Sequence, residues 1–364
     1  MKYVDEFRNR KLINGISEKI KAIMPKRIIN LMEVCGTHTQ SFFRFGLDEL
    51  LPQNLRLISG PGCPVCVSGQ EFIDSAIELS SQRDIIIVTF GDMLRVPGTG
   101  SSLEKERARG AKVFIVYSAA EALDIARKNP DKKAVFLAVG FETTAPTIAL
   151  TILAAKKERL KNLYFLSALK VIPPAMEYLL QDKDLRLDGF LCPGHVSAII
   201  GTKAYEFIPK KYKIPCCVAG FEPLDILKGI YLLLENILEG SPRVTNEYAR
   251  VVEKQGNLEA QRILREVFRA TDAAWRGLGV IPGSGLAIRK EFANFDAEKV
   301  FDIKQANRRT GKHATLCRCG DVLKGLITPK ACPLFAKACK PDNPIGPCMV
   351  SSEGSCSAYY KYRR

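Results

Sequence analysis

The sequence lacks any apolar run long enough to cross a bilayer, and its first residues lack the apolar core of a secretory signal. The longest apolar runs are short, such as IIIV at 85–88, whereas a membrane-spanning helix needs about 20 apolar residues. The opening MKYVDEFRNR is rich in charge, and a signal peptide needs an apolar segment after its basic start. We therefore expect a cytoplasmic protein with no membrane partner.

Dense basic blocks and phosphate-binding loops are also missing. The formal net charge is +15, from 54 Lys and Arg against 39 Asp and Glu, but the basic residues are scattered. A positive balance favours acidic partners in general, whereas nucleic-acid binding needs a clustered basic patch or a recognition motif. The stretch VPGTGSSLEKE at 96–106 lacks the GxxxxGK[ST] pattern of a P-loop. We expect no nucleic-acid partner, and acidic protein partners are one interpretation of the charge.

Buried strands dominate the middle of the chain. With 46% hydrophobic and 26% charged residues in 364, the composition is that of a globular protein of two or three domains. Continuous apolar strands followed by helical patterns indicate parallel α/β layers. The strand-like segments are RIINLMEV, LRLIS, DIIIVTF, KVFIVYS, KAVFLAV, LYFLSAL, GFLC and IPCCVA. Eight such units fit a closed (β/α)8 barrel, but we favour two open sheets of about four strands each.

A polar turn and a repeated sequence motif support the division into two sheets. KNPDKK at 128–133 has the composition of a linker, and GFETTAP at 140–146 is echoed by GFEPLDI at 220–226. We predict an N-terminal helix within 1–25 that packs on the body, ended by a proline, then α/β domains at 26–127 and 128–240. We predict that residues 241–364 are a helical and loop-rich C-terminal domain that carries the cluster-binding cysteines. Within this domain, the pattern of residues 244–275 predicts a helix. The Gly- and Pro-containing segment GLGVIPGSGLAI is predicted to be a connector.

The C-terminal 48 residues contain half of the twelve cysteines, which are Cys317, Cys319, Cys332, Cys339, Cys348 and Cys356. In a cytoplasmic chain such cysteines are metal ligands, reactive thiols or buried apolar residues rather than a disulfide framework. Four thiolates bind zinc or an iron–sulfur cluster. The segment has no CxxC knuckle, and its loose spacing between prolines favours a cubane cluster. The spacing alone does not say which two cysteines are spare.

Two further cysteine motifs follow predicted strands. GPGCPVC at 60–66 places Cys63 and Cys66 in a CPxC dithiol, which is typical of redox sites whose thiol pKa is lowered by a helix N-terminus. Half of a metal knuckle is the alternative. In CGTHT at 35–39, Cys35 and His38 end a strand and open a helix. A thiolate and an imidazole can bind a metal or act as nucleophile and base, although such a pair also arises by chance.

Polar residues on four other loops complete the set of candidates, because ligands of open α/β sheets bind beyond the carboxyl ends of the strands. Asp92, Glu142, His195 and Glu222 lie at such ends, and we assign them to cofactor binding. The acids can equally be helix N-caps or turn residues, and His195 can serve as a supporting hydrogen-bond donor.

Seven long motifs, in order, resemble those of the HypD family of hydrogenase maturation proteins. They are MEVCGTHTQSFFRFGL, SGPGCPVCV, TFGDMLRVPGTGSSLEKERARGA, AVGFETTAPT, CPGHVSAIIG, AGFEPLDIL and GPCMVSSEGSCSAYYKY. The resemblance runs from about residue 30 to the C-terminus. It implies two similar α/β domains, a third domain with a [4Fe-4S] cluster, and a role in building the Fe(CN)2CO group of [NiFe]-hydrogenases. It also implies a HypC-type chaperone as partner and HypE, working with HypF, as cyanide donor.

The resemblance further implies a role for each cysteine motif. Cys35 is the expected ligand of a transient iron(II) that carries cyanide and CO, shared with a cysteine of HypC, and His38 is its neighbour. Cys63 and Cys66 are the expected redox dithiol. The expected cluster ligands are Cys332, Cys339 and Cys356, together with either Cys317 or Cys319.

Two other classes of function compete with this scaffold. An iron–sulfur disulfide oxidoreductase of the ferredoxin–thioredoxin reductase type also combines a cluster with a dithiol, but it has no need of CGTHT. A basic nucleic-acid-binding iron–sulfur protein is suggested only by the charge. We favour the metal-assembly scaffold with redox activity, without predicting that it is an enzyme in its own right.

Overall fold

Two open parallel sheets form the body of the protein. The computed structural model describes residues 5–303 and 316–363. The strands are β1 (Ile29–Glu33), β2 (Leu55–Ser59), β3 (Ile85–Thr89), β4 (Val113–Ile115), β5 (Lys133–Ala138), β6 (Leu163–Ser167), β7 (Gly189–Pro193), β8 (Cys216–Ala219), β9 (Val244–Asn246), β10 (Phe268–Trp275) and β11 (Gly279–Ile288). The α/β fold with two open parallel sheets is confirmed.

Helices connect these strands and cover the sheets. The helices are α1 (Arg10–Ile23), α2 (Gly36–Arg44), α3 (Gln70–Ser80), α4 (Leu103–Ala108), α5 (Glu121–Lys128), α6 (Ala145–Lys157), α7 (Ile172–Leu180), α8 (Gly194–Ile200), α9 (Phe207–Tyr212), α10 (Pro223–Glu239), α11 (Leu258–Val267), α12 (Ala297–Val300), α13 (Cys319–Leu323) and α14 (Ser355–Tyr362). Short 3-10 helices span Glu6–Arg8, Leu47–Glu49, Gly91–Arg95, Thr202–Tyr205, Lys290–Phe295, Pro329–Ala331 and Pro347–Met349. No helix of the described ranges has both the length and the apolar character of a membrane span.

The strand order shows that the chain leaves the first sheet after β2 and returns to it at β7, whereas the second sheet is built from the consecutive strands β3 to β6. The first sheet has the order β2-β1-β7-β8-β9 and the second has the order β4-β3-β5-β6. All pairings within both are parallel. The predicted boundary between 127 and 128 therefore does not separate the sheets, because it lies between β4 and β5 of the second sheet. Apolar patterning identifies strands but not their partners. The pairing of β7 with β1 therefore cannot be predicted from the sequence.

The chain from 244 to 275 is not the single helix that its pattern predicts. β9 pairs with β8 at the edge of the first sheet, and α11 begins only after Asn257, whose side chain accepts a hydrogen bond from the N–H of Ala260. β10 then pairs antiparallel with β11, so the predicted connector is a strand. The alanine-rich β10 favours helix locally, but its pairing with β11 overrides that preference.

A shared core joins both sheets to the C-terminal segment. One cluster of buried side chains includes Met32 of β1, Val135 of β5 and Phe190 of β7, and it extends to Val322 and Met349. A separate cluster between α1, α2 and α10 includes Ile20 and Leu233. The C-terminal segment, which has only short helices in its described part, is thus packed against the α/β body rather than standing apart.

Candidate thiol and metal site

Cys35 lies where the first sheet meets α2. It follows β1 directly and is the N-cap residue of α2, so its thiol lies at the positive end of that helix. The Gly36 N–H donates to the carbonyl of Gly62 at 3.0 Å, and a Cβ at Gly62 would lie only 2.2 Å from the backbone N of Cys35. The CGTHT and GPGCPVC motifs are therefore packed backbone against backbone at the carboxyl ends of β1 and β2.

The surroundings of Cys35 favour a protonated thiol. The residue is 8% exposed, and its burial raises the pKa of the thiol to about 12, with the carboxyl groups of Glu33 and Glu353 adding to the rise. The backbone N–H groups of His38 and Thr37 favour the thiolate but are outweighed. Burial and the nearby carboxyl groups both disfavour the thiolate, and only the helix N–H dipoles favour it. Such a thiol loses its proton when a metal cation binds to it.

Glu33 lies beneath this loop. One carboxylate oxygen accepts the N–H of Cys35 at 2.8 Å, and the other accepts the hydroxyl of Thr39. Burial raises the pKa of Glu33 to about 8, while these two hydrogen bonds partly oppose the rise. Glu33, at the end of β1, thus fixes the start of α2 through these two hydrogen bonds. Glu33 is not among the site residues that the sequence predicts.

His38 is held in one tautomer beside the same loop. Its Nε2 lies 2.8 Å from the carbonyl oxygen of Gly220 and 3.2 Å from that of Ala219, so Nε2 carries the hydrogen and donates it. Burial lowers the pKa of the imidazole to about 4, which leaves a lone pair on Nδ1. That atom is buried without a hydrogen-bond partner in the described chain. An imidazole whose N–H is anchored on a carbonyl is the usual arrangement of a metal-binding histidine.

Cys63 and Cys66 form a close dithiol. The Cys66 N–H donates to the sulfur of Cys63 at 3.3 Å, and both residues are buried, at 3% and 0% exposure. Burial raises the pKa of the Cys66 thiol well above its ordinary value, and the neighbouring thiols of Cys348 and Cys63 raise it further. The prediction that a helix N-terminus lowers this pKa is wrong for Cys66, because α3 begins only at Gln70.

The six C-terminal cysteines converge on one place. They line a small enclosed cavity together with Phe335, Gly346 and Met349. Burial raises the pKa of Cys356, and four neighbouring thiols raise it further, namely those of Cys348, Cys317, Cys339 and Cys332. Both Cys317 and Cys319 reach the cavity, so the choice between them stays open. Within residues 5–303 and 316–363, no group of three or more His, Cys, Asp or Glu side chains has the arrangement that holds a single metal ion.

Thiols alone line this cavity as ligating groups, and thiolates are the ligands of iron–sulfur clusters. The donor set therefore fits the predicted [4Fe-4S] cluster. Cys348 has a second neighbour, because its thiol also contacts that of Cys66. A continuous row of thiols thus runs from the cavity through Cys348 to Cys66 and Cys63. Cys348 is not among the predicted cluster ligands, and its contact with a residue 282 positions earlier has no local sequence signal.

The four loop residues assigned to cofactor binding divide between the two sheets. His195 is exposed and stacks on Phe221 with ring centroids 4.0 Å apart, and Phe221 lies 4.9 Å from the His38 ring. Glu222 is the N-cap residue of α10 and accepts a hydrogen bond from Arg8 at 2.9 Å. These two residues therefore lie on the same edge of the first sheet as Cys35.

The other two lie at the carboxyl ends of the second sheet. Glu142 is buried, accepts the N–H of Ile172 at 2.9 Å, and has its pKa raised to about 7 by burial. It holds the first turn of α7 from another loop and is not an N-cap residue, because the N-cap of α7 is Val171. Asp92 is exposed in the short helix after β3. Cofactor binding by all four residues stays a prediction.

The fold and this site define a thiol-rich α/β protein in which a cysteine–histidine loop, a buried dithiol and a six-cysteine cavity adjoin one another. A sequence profile named HypD and described as "Hydrogenase formation hypA family" matches residues 10–363. The chain belongs to the HypD family.

Similarity to individual proteins extends over the full length. The chain is 46% identical to the hydrogenase maturation factor HypD of Azotobacter vinelandii, covering 100% of this chain and 97% of that protein. It is 44% identical to HypD of Escherichia coli, covering 100% and 99%. A putative hydrogenase expression/formation protein of Methanocaldococcus jannaschii is 43% identical, with 97% and 95% covered.

Proposed function

We propose that this HypD-family protein is the scaffold on which the Fe(CN)2CO group of [NiFe]-hydrogenase is assembled. Iron(II) is its cargo, bound by Cys35 together with a cysteine of a HypC-type chaperone, and HypE, supplied by HypF, delivers the cyanide. The observation that supports the proposal is the backbone contact between Gly36 and Gly62, by which the CGTHT loop packs against the GPGCPVC motif. We expect the assembly to take place in the cytoplasm.

The chemistry of the Cys35 loop supports iron as cargo. Iron(II) with cyanide and CO is a soft centre, for which a thiolate is a matching ligand. Cys35 supplies one thiolate at a helix N-terminus, and His38 presents a free Nδ1 lone pair in the same loop. One protein thiolate leaves the remaining ligand positions for the chaperone and for the incoming diatomic ligands.

The C-terminal cavity supports a resident cluster. Cys332, Cys339 and Cys356, with Cys317 or Cys319, would hold a [4Fe-4S] cluster there. When bound, such a cluster supplies electrons one at a time. The surrounding short helices bury little apolar surface among themselves. In small modules of this kind, a bound metal supplies the stability that a small core lacks.

The Cys63–Cys66 pair stores two electrons beside Cys35. Reduction of its disulfide breaks one S–S bond and takes up two electrons and two protons, leaving two thiols. Burial favours the protonated thiol of Cys66, so this member of the reduced pair retains its proton. Cys348 extends the row of thiols toward the cavity and is the one C-terminal cysteine in contact with Cys66 in the described structure.

The test is an anaerobic count of iron and sulfide with infrared spectra, on the protein alone and co-purified with a HypC-type chaperone. We expect about four irons and four sulfides alone, and one further iron with cyanide and CO bands in the complex. Cys35→Ser should lose the further iron only, and Cys63→Ser should keep both but abolish hydrogenase maturation. Cys217→Ala, in β8 and in the separate buried cluster with Ile20 and Leu233, is the matched control. Normal maturation by Cys63→Ser would refute the dithiol's role.

A disulfide oxidoreductase of the ferredoxin–thioredoxin reductase type is the second candidate, and the row of thiols from the cavity to Cys63 favours it. It differs in needing no iron at Cys35. A cluster-loaded protein that reduces a protein disulfide at the same rate with Cys35→Ser, and that acquires no further iron with the chaperone, would support this function over the scaffold.

A further inference from the structure

We infer that Glu353 is a positioning residue for Cys35, acting through the hydroxyl of Thr37. The inference rests on the proposed function, because it concerns the residue that would bind iron there. Glu353 lies in the SSEGSC segment at the end of the chain, 318 positions after Cys35. Neither residue type nor spacing marks it as part of the site.

The contact with the Cys35 loop is direct and tight. The Thr37 hydroxyl donates to Glu353 Oε1 at 2.7 Å. Between Cys35 and Thr37, a Cβ added at Gly36 would lie 2.5 Å from both the Cβ and the carbonyl oxygen of Glu353. The backbone of Glu353 thus packs against Gly36, and its carboxylate accepts a hydrogen bond from the next residue, Thr37.

The same short segment is fixed on its other side by the thiol cavity. The N–H of Glu353 donates to the hydroxyl oxygen of Ser351 at 3.3 Å, and a Cβ at Gly354 would lie 2.2 Å from the carbonyl oxygen of Cys348. Cys356 follows in the first turn of α14. Glu353 therefore connects the cavity-lining segment to the Cys35 loop.

Contacts elsewhere keep α14 in place when this carboxylate is removed. The rings of Phe43 and Tyr359 meet edge to face with centroids 4.5 Å apart, and Arg363 donates to Glu49 at 2.8 Å. Truncation of Glu353 to alanine also keeps the Cβ that touches Gly36. The substitution thus removes the anchor of Thr37 without removing the packing of the helix.

The experiment measures alkylation of single cysteines by iodoacetamide in the full chain, by peptide mass spectrometry, with Cys63 as internal reference. A lost hydrogen bond of about 1 kcal/mol corresponds to about a fivefold change. We therefore expect Cys35 to be alkylated about five times faster in Thr37→Val than in wild type, and at least as fast in Glu353→Ala, which also removes the carboxylate charge. The double variant should be no faster than Glu353→Ala, because both changes remove the same hydrogen bond. Glu18→Ala, which removes an exposed carboxylate of α1 that accepts a hydrogen bond from Lys21, is the control and should leave the rate unchanged.

Glu353→Gln separates positioning from simple charge. Its amide oxygen still accepts the Thr37 hydroxyl, so Cys35 should react more slowly than in Glu353→Ala. Both variants lose the carboxylate charge that raises the pKa of Cys35, so the difference between them reports the hydrogen bond, while the Cys63 rate and the unfolding midpoint stay constant in every variant. A Gln variant as fast as the Ala variant, or Ala and Val variants that match wild type, would overturn the inference. Iron and sulfide uptake is measured separately, so a wild-type protein that takes up neither refutes the resident cluster without altering the alkylation comparison.

Discussion

The close approach of Gly62 to the Cys35 backbone predicts that Gly62→Ala is among the most damaging small substitutions in the chain. The three atoms nearest the added methyl are Cys35 N at 2.2 Å, Cys35 Cα at 2.4 Å and Val34 C at 2.5 Å. All three are backbone atoms, which cannot rotate aside as a side chain can. Overpacking in a tight core costs about 1–3 kcal/mol, and this position belongs at the upper end.

The cost has a second part, because separating the two loops breaks the hydrogen bond from Gly36 N–H to Gly62 O. Gly15 supplies the matched control, since it lies in the exposed face of α1 with no atom within 4 Å of an added Cβ. There, alanine stabilises the helix by about 0.5–1 kcal/mol relative to glycine. The two substitutions add the same methyl group and are expected to move stability in opposite directions.

Urea unfolding followed by circular dichroism measures the difference, and alkylation of Cys35 reports the local change. Gly62→Ala should lower the free energy of unfolding by about 3 kcal/mol and expose Cys35, whereas Gly15→Ala should raise the midpoint and leave Cys35 protected. If Gly62→Ala unfolds at the wild-type midpoint with Cys35 still protected, the packing of CGTHT on GPGCPVC described above is wrong.

Three further substitutions test other parts of the structure. Burial lowers the pKa of His38 from 6.5 to about 4, so the unfolded chain takes up a proton first. About 3 kcal/mol of stability is therefore lost as pH falls through that window, and His38→Gln should flatten this part of the pH profile of the urea midpoint; an unchanged profile would contradict the buried neutral imidazole. Trp275→Phe removes the donor that serves Ser284 at 2.7 Å in the core and should cost about 1–3 kcal/mol by thermal unfolding, and a neutral result would contradict that contact. The exposed Asp92 should tolerate Asn within about 0.5 kcal/mol, so a lost maturation activity at wild-type stability would identify it as functional, and a destabilised variant would contradict its exposure.

The parts of the fold that follow local patterns were predictable from the sequence. Each of the eight apolar segments forms a parallel strand, from β1 to β8, because a strand buried on both faces needs an unbroken apolar run. The hairpin of β10 and β11 was missed, since FRATDAAW is alanine-rich and GVIPGSGLAI contains glycine and proline. Its strands are specified by pairing with each other, which is a tertiary property.

The candidate site shows the same division. Cys35, Cys63 and Cys66 were predictable because each follows a strand at the edge where α/β proteins bind ligands. Glu33, Cys348 and Glu353 were not, although all three contact those motifs. Glu33 reads as part of a strand, and the other two lie in a segment whose position on the body depends on the pairing of distant elements.

The packing of α2 on α14 explains how a segment with so little regular structure can take part in a precise site. α2 begins immediately after Cys35, and α14 begins immediately before Cys356. Phe43 and Tyr359 join the two helices side by side, so the start of one is placed relative to the start of the other. The Cys35 loop and the thiol cavity are therefore positioned by one helix pair. A shift of α14 relative to the body has to move the contact at Gly36, because that contact leaves no room even for a methyl group.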